Sequence, residues 1–321
     1  MSMDRLMKGA KVAVQDCMAV KSTENVLIVT DTVKTLIAEA LAEASRRARA
    51  ETVTITMDPR KIDGEEPPRT VAAAMREANV VLMPATKSLT NTKAREEATK
   101  TGARIASMPG ITERMFMDGG LNADYSRVKT LSYSIADLLT KAKKARITTS
   151  KGTNLSLDLG DRKCMADTGI LHSPGDKGNL PSGVSYMAPI EESAEGIVLI
   201  DGSINGIGLL KRPVKWVVKA GRVTDILGRE EADKLKDVLK TADENATLIG
   251  AFGMGTNPAA KLSGMPLEDE KVLGTAHLAI GSNHTYGGKI RSQTRITGFF
   301  LNPTIELDEK VIMKDGEILI S

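Results

Sequence analysis

The chain has 321 residues, 41% of them hydrophobic and 26% charged, the balance of a soluble globular protein with room for two domains of ordinary size. Its 44 Lys and Arg stand against 41 Asp and Glu, and a net charge of +3 is too slight and too interspersed to favour nucleic acid or an anionic membrane as a partner. Cys17 and Cys164 lie far apart, so neither a disulfide framework nor a zinc knuckle is implied; with no apolar run near the ~18 residues that span a bilayer, a reducing, cytoplasmic setting is the expectation.

Asn25 to Thr30 is a short run rich in β-branched residues and predicts a strand. Asp31 or Thr32 then offers an N-cap to a helix over Val33 to Ala50. The alternation continues with strand Thr52 to Thr56, helix Arg69 to Ala78, strand Val80 to Met83, helix Thr92 to Thr101 and strand Arg104 to Ser107. Short strands separated by helices predict an α/β fold with a doubly wound parallel sheet. After a helical Ser134 to Lys144, the texture changes to a Lys151-Gly152 turn and the period-two run Leu155, Leu157, Leu159. A boundary is therefore expected at about 145, with an N-terminal α/β domain over 1–145 and a mostly β domain over 146–321. The second domain should contain strands Gly196 to Ile200, Val214 to Lys219 and Arg222 to Ile226, with Trp216 in the core, and a helix over Glu230 to Thr241.

Gly202-Ser-Ile-Asn-Gly206-Ile-Gly208 and Gly250-Ala-Phe-Gly253-Met-Gly255 lack the order of a dinucleotide fingerprint and the Lys-Ser/Thr of a phosphate loop. They read as turns, bulges or places where backbones approach closely. His277 and His284 are two of only three histidines, yet seven residues apart they match neither the strand nor the helix spacing of a metal pair. A hydrogen-bonded core histidine is the simpler reading of His277. Cys164, among basic neighbours, is either a thiol of lowered pKa with a possible nucleophilic role or a small core residue.

Asn179-Leu-Pro-Ser-Gly183, Gly253-Met-Gly-Thr-Asn257-Pro, Leu262-x-Gly264 and Glu268-Asp-Glu-Lys-Val-Leu-Gly-Thr-Ala-His277 resemble, in order and spacing, the aminopeptidase T (leucyl aminopeptidase) metallopeptidase family. That family includes the iron-dependent 2,5-dihydroxypyridine 5,6-dioxygenases. The first half, with Glu66-Pro-Pro, Ser88-Leu-Thr-Asn91-Thr-x-Ala-Arg95 and Arg104-Ile-Ala-Ser-Met-Pro-Gly-Ile-Thr, looks closer to this short branch. The resemblance spans nearly the whole chain. It implies a C-terminal domain of the aminopeptidase T type, a ligand cleft between the domains, and a homo-oligomer, at least a dimer.

The resemblance also says where metal ligands should stand. The Glu after Asn-x-Pro-x-Gly falls on Val184, a second Glu on Ala251, the His-x-Asp pair on Arg295-Ile-Thr297, and a tyrosine ligand on His284. The histidine of the dioxygenase branch's Ser-Leu-Thr-His falls on Asn91, which cannot serve as a general base. Only His277 is retained as a ligand type. Valine and alanine cannot ligate, and arginine repels a cation. No metal is therefore expected; zinc, cobalt, manganese or iron would need a rewired site, for which His172 with Asp176 or Asp167 are the available donors.

Exchanging Glu, Glu, His and Asp for Val, Ala, Arg and Thr removes the anions and adds a cation together, which leaves a self-consistent pocket. Arg295, with its planar fork of donors, suits a carboxylate or phosphate. The expectation is a site for a small anionic molecule or peptide, held by Arg295 with Thr297, Asn283, Asn91, Ser185 and Tyr186, any acid or base coming from His277, His284 or Tyr286. In the simpler alternative Arg295 pairs with a nearby acid and the pocket is inert. Three functions stay open: a diverged protein of the family lacking its metal set, a metal-dependent aminopeptidase or ring-cleaving dioxygenase with a rewired site, and a non-catalytic binding protein.

Overall fold

In a computed structural model, which describes residues 3–320, the chain divides into two compact units. One comprises Met1–Lys129 and Asp167–Ser182, the other Thr130–Ala166 and Gly183–Ser321. The first begins with a helix that the strand-and-helix alternation did not anticipate, α1 (Met3–Lys11), whose Leu6, Gly9 and Ala10 are buried.

The expected alternation follows: β1 (Asn25–Asp31), α2 (Thr35–Arg47), β2 (Glu51–Met57), α3 (Arg69–Glu77), β3 (Val80–Ala85), α4 (Lys93–Lys100), β4 (Arg104–Pro109) and the short α5 (Glu113–Met117). β1 pairs in parallel with β2 and β3, and β3 with β4. β1 and β3 are buried almost end to end, as the inner strands of a parallel sheet covered on both faces should be. One local expectation fails: neither Asp31 nor Thr32 caps α2, which starts after Lys34. The Asp31 carboxylate instead accepts the backbone N–H of Val33 and of Thr86, tying together the ends of β1 and β3.

A single cut at 145 does not describe the division, which falls inside α6 (Tyr125–Lys141). Ile135, Ala136 and Leu139 of that helix, with Ala142 after it, belong to the apolar core of the second unit. The change of texture near 145 is thus a switch from helix to strand within one unit. The chain continues through β5 (Lys144–Thr148), β6 (Asn154–Asp158) and β7 (Met165–Asp167), and then β8 (Lys177–Asn179) pairs in parallel with β4. The first unit's sheet accordingly has five strands in the order β2-β1-β3-β4-β8.

The second unit goes on with β9 (Val184–Met187), β10 (Glu195–Ile200), β11 (Ser203–Ile204), β12 (Gly208–Leu209), β13 (Val214–Lys219), β14 (Arg222–Leu227) and α7 (Glu230–Lys240). It ends with β15 (Ile249–Gly255), the short α8 (Pro266–Asp269), β16 (Thr275–Gly281), β17 (Arg295–Leu301), β18 (Thr304–Leu307), β19 (Lys310–Lys314) and β20 (Glu317–Ile318). Two sheets result, in the orders β14-β13-β10-β6-β5-β18-β19-β20 and β12-β11-β17-β16-β15-β9-β7. Leu155, Val198 and Trp216 from the first sheet share one core with Phe252, Leu278 and Phe300 from the second. Trp216 is fully buried there, as its alternation predicts, and each such side chain contributes about 1.5–3 kcal/mol through lost water contact.

Candidate functional site

Side chains alternate between the two faces of a strand, and residues directly opposite across an antiparallel ladder share a face. In the β9-β15-β16-β17 ladders, Val184 lies opposite Gly255 and Tyr186 opposite Gly253. Gly253 in turn faces His277, and Ala251 faces Ala279. On the next ladder, His277 faces Phe299, Ala279 faces Thr297 and Gly281 faces Arg295. Val184, Ala251, His277, Arg295 and Thr297 therefore project from one face of one sheet. Met187, Phe252, Met254, Leu278, Ile280 and Phe300 project from the other and build the core.

Two glycines of Gly253-Met-Gly255 explain how this face is filled. A Cβ on Gly253 would collide with Cε1 and Nε2 of His277 and with the Cβ of Tyr186, so the imidazole lies flat across the bare backbone of β15. A Cβ on Gly255 would strike the carbonyl oxygen of Val272, so the segment after α8 rests on that residue. Close approach, not a turn, is what these glycines provide. The segment is held by Asn257, whose N–H donates to the Lys271 carbonyl at 2.8 Å and whose own carbonyl accepts from Leu273 N–H at 3.2 Å.

This segment supplies two residues that spacing arguments passed over. Lys271 is fully buried and forms an ion pair with Glu270, whose side chain is partly exposed. Burial pushes the Glu270 carboxyl up, but Lys271, His277 and Arg295 together outweigh it and hold the group below its ordinary value. A charged Glu-Lys pair just before a glycine and an apolar strand was the available signal in the sequence, since a lysine is almost never fully buried without a partner.

His277 is 1% exposed, and its Nδ1 has no hydrogen-bond partner, so it is not the satisfied core histidine of the simpler reading. Burial drives its pKa down to about 4; the Glu270 charge opposes this, while Arg295 and Lys271 reinforce it. The ring is neutral at pH 7 and offers one lone pair and one N–H. Its neighbour Phe299 lies with ring centroids 5.7 Å apart.

Arg295 is exposed, and among the described residues it takes part in no ion pair, although the Glu270 carboxylate feels its charge. Its guanidinium carbon stands 4.8 Å from the centroid of Tyr286, a cation-π contact. Tyr286 meets Tyr186 edge to face at 5.6 Å, and its hydroxyl donates to the Ser282 carbonyl at 3.2 Å. Burial raises the Tyr286 phenol above its ordinary value; Arg295 lowers it and Glu270 adds to the rise. One corner thus combines an unpaired guanidinium, two aromatic rings and a neutral imidazole.

The other expected residues are placed differently. Asn283 is buried, and its Oδ1 accepts the N–H of Ile290 at 2.8 Å, so its side chain braces the loop and does not serve a ligand. Ser185 is buried and donates to the Ser132 carbonyl at 2.7 Å, a structural bond on the core-facing side of β9. His284 sits on an exposed turn with its Nδ1 2.9 Å from Ser282 Oγ. Thr297 is buried on the site face. Asn91 belongs to the first unit, exposed just before α4, and His172 belongs there too, its Nε2 2.9 Å from the Asp16 carbonyl.

Cys164 is buried beside a groove of about 740 Å³ bordered by Tyr133, Asp137, Thr140, Arg162, Met165 and Tyr286. Its thiol donates to the Tyr186 carbonyl at 3.4 Å, and burial pushes its pKa up to about 12. Burial and the raised pKa oppose the nucleophile reading.

The donors present do not fit a catalytic metal. Among the described residues no three His, Cys, Asp or Glu side chains form a group that could hold a metal ion. The positions beside His277 carry Val184, Ala251, a guanidinium and a threonine, and a permanent cation there opposes a second one.

The profile of the family described as NicX, 2,5-dihydroxypyridine 5,6-dioxygenase, matches residues 6–320. The chain belongs to the NicX family. A 2,5-dihydroxypyridine 5,6-dioxygenase of Pseudomonas putida KT2440 is 25% identical over 255 residues, 73% of this chain and 69% of that protein. The solved structure of 2,5-dihydroxypyridine dioxygenase from the same organism superposes with a TM-score of 0.82 at 20% identity, covering 100% of this chain and 99% of that one. Wild-type AmpT from Thermus thermophilus gives 0.74 at 15% identity, covering 99% of each. The aminopeptidase likeness is therefore one of fold, and the NicX match favours the dioxygenase branch over the aminopeptidase reading. No helix among the described residues is long and apolar enough to cross a membrane.

Proposed function

We propose that this NicX-family chain binds a small hydroxylated ring compound in an anionic form, of the class named for its dioxygenase relative, at the corner built by Arg295, Tyr286, Tyr186 and His277. The observation that carries the reading is the exposed guanidinium of Arg295, which among the described residues joins no ion pair and stacks 4.8 Å from an aromatic ring. An ionised ring oxygen or carboxylate pairs with its fork of donors, and the ligand ring packs against the two tyrosines. Neutral His277 can hold a hydrogen bond to a second ring substituent, since its Nδ1 is unpartnered. The fixed cation supplies the positive charge that a metal would otherwise bring.

A second reading keeps the relative's reaction: ring cleavage with iron held by residues other than the family's positions. The match over residues 6–320 supports it, and the donor set opposes it. Calorimetry with 2,5-dihydroxypyridine on protein stripped by chelator, and again after anaerobic loading with ferrous iron, separates the two, with oxygen uptake followed in parallel. Saturable binding to the stripped protein is the expected result. Binding only after stoichiometric iron uptake, with oxygen consumed as the ring absorbance falls, establishes the second reading instead.

A further inference from the structure

We propose that the first unit holds a second ligand site, for a small oxyanion of the carboxylate or phosphate type, at the carboxyl ends of β3, β4 and β8. In an open parallel sheet this edge is where ligands bind, because the strands end there and the connecting turns leave polar groups exposed to one another. The strand order β2-β1-β3-β4-β8 puts three successive turns on that edge.

Arg95, in the first turn of α4, is the centre of the site. Its Nε donates to the Thr90 carbonyl at 2.7 Å, which fixes the guanidinium plane, while its buried Nη1 has no partner. Among the described residues it joins no ion pair; the opposing charge that acts on it is that of Glu96, which is bridged to Lys100 at 2.7 Å. Glu66 is not available either, because its two oxygens accept the N–H groups of Lys93 and Ala94 at the helix start. A half-buried guanidinium with an idle donor is costly unless an anion completes it.

The groups on the same sheet edge are of the matching kind. Thr90 Oγ1 donates to Ser107 Oγ at 2.7 Å, and Ser107 of β4 lies opposite Asn179 at the end of β8. The Asn179 Oδ1 is buried without a partner, and the amide can present N–H by turning over. Thr86, just beyond β3, has a buried hydroxyl that is also idle. The Asp31 carboxylate beside Thr86 accepts the backbone N–H groups of Val33 and of Thr86 itself. Three unpartnered polar atoms on one sheet edge, one of them cationic, describe an oxyanion site with neutral donors at its rim.

The test is calorimetric titration of the full-length protein in chloride buffer, with inorganic phosphate in one arm and acetate or malonate in the other. One of the two classes is expected to bind once per chain. Arg95→Gln should weaken that binding by at least about tenfold, the value of a charge-assisted hydrogen bond, and Arg95→Lys should restore part of it. Should Arg95→Gln fold poorly, Asn179→Asp, which sets a negative charge on the same sheet edge, gives the same loss. Unchanged binding in Arg295→Gln separates this site from the one in the second unit. The proposal is overturned if neither anion class binds by ~10 mM, if Arg95→Gln and Asn179→Asp bind as well as the parent, or if the binding follows Arg295.

Discussion

The two faces of the β9-β15-β16-β17 sheet use the same strands for opposite ends. One face, with Met187, Phe252, Met254, Leu278, Ile280 and Phe300, is uniformly apolar and buried in the core of the second unit. The other alternates with it residue by residue and carries Tyr186, Gly253, Gly255, His277, Arg295 and Thr297. On the first face large side chains interdigitate. On the second, glycines clear space so that an imidazole and a backbone segment can lie on the sheet. Because the period of a strand is two, the two sets of residues are free to change independently, and a metal set can be exchanged for an Arg-Tyr-His set without disturbing the core.

The comparison breaks if the faces are not energetically separate. Phe252→Ala empties a fully buried position of the core and should cost about 3–5 kcal/mol in urea unfolding, the largest effect expected on this sheet. A loss below about 1 kcal/mol would mean that the core does not rest on this face. The site face should show itself through pH. The His277 pKa, about 4 when folded, lies below the ordinary 6.5, so the unfolded chain binds a proton that the folded one refuses. Stability contributed by the neutral ring is intact above pH ~6.5 and is lost as pH falls toward ~4, by roughly 3 kcal/mol in all. His277→Gln should flatten that part of the stability profile; a variant with the parent's slope over the same window would show that another group titrates.

What the sequence made legible follows the same division. The parallel alternation from Asn25 to Ser107, the Val214 to Lys219 strand and buried Trp216 were readable because hydrophobic period alone determines them. The boundary at 145 was not, because α6 crosses the division and its second half packs into the second unit's core, a tertiary fact invisible to local texture. Within the site, His277, Arg295, Thr297, Tyr186 and Tyr286 could be named from aligned motifs, and the strand register brings the first four onto one face. Asn283 and Ser185 carry ligand-type side chains, yet their hydrogen bonds go to Ile290 and Ser132, a choice set by loop and helix packing. The role of Glu270 and Lys271 depends on Gly255 admitting the 271–272 backbone against the sheet, which spacing does not encode.

Arg295 sharpens the comparison with the smallest change in stability. It is exposed, and its contact with Tyr286 is worth about 0.5–1 kcal/mol, so Arg295→Gln should barely move the unfolding midpoint. Its influence on the site should be out of proportion to that cost. The guanidinium charge is one of the causes that hold His277 low, so its removal should move the His277 titration upward toward the ordinary value, visible by NMR of the imidazole. The same variant should bind a hydroxylated ring anion at least about tenfold more weakly, since a charge-assisted pair is replaced by a neutral one. An unshifted His277 together with undiminished binding would place Arg295 among surface cations and remove it from the site. A shifted His277 with undiminished binding would keep the electrostatic coupling and take Arg295 out of the anion's contacts.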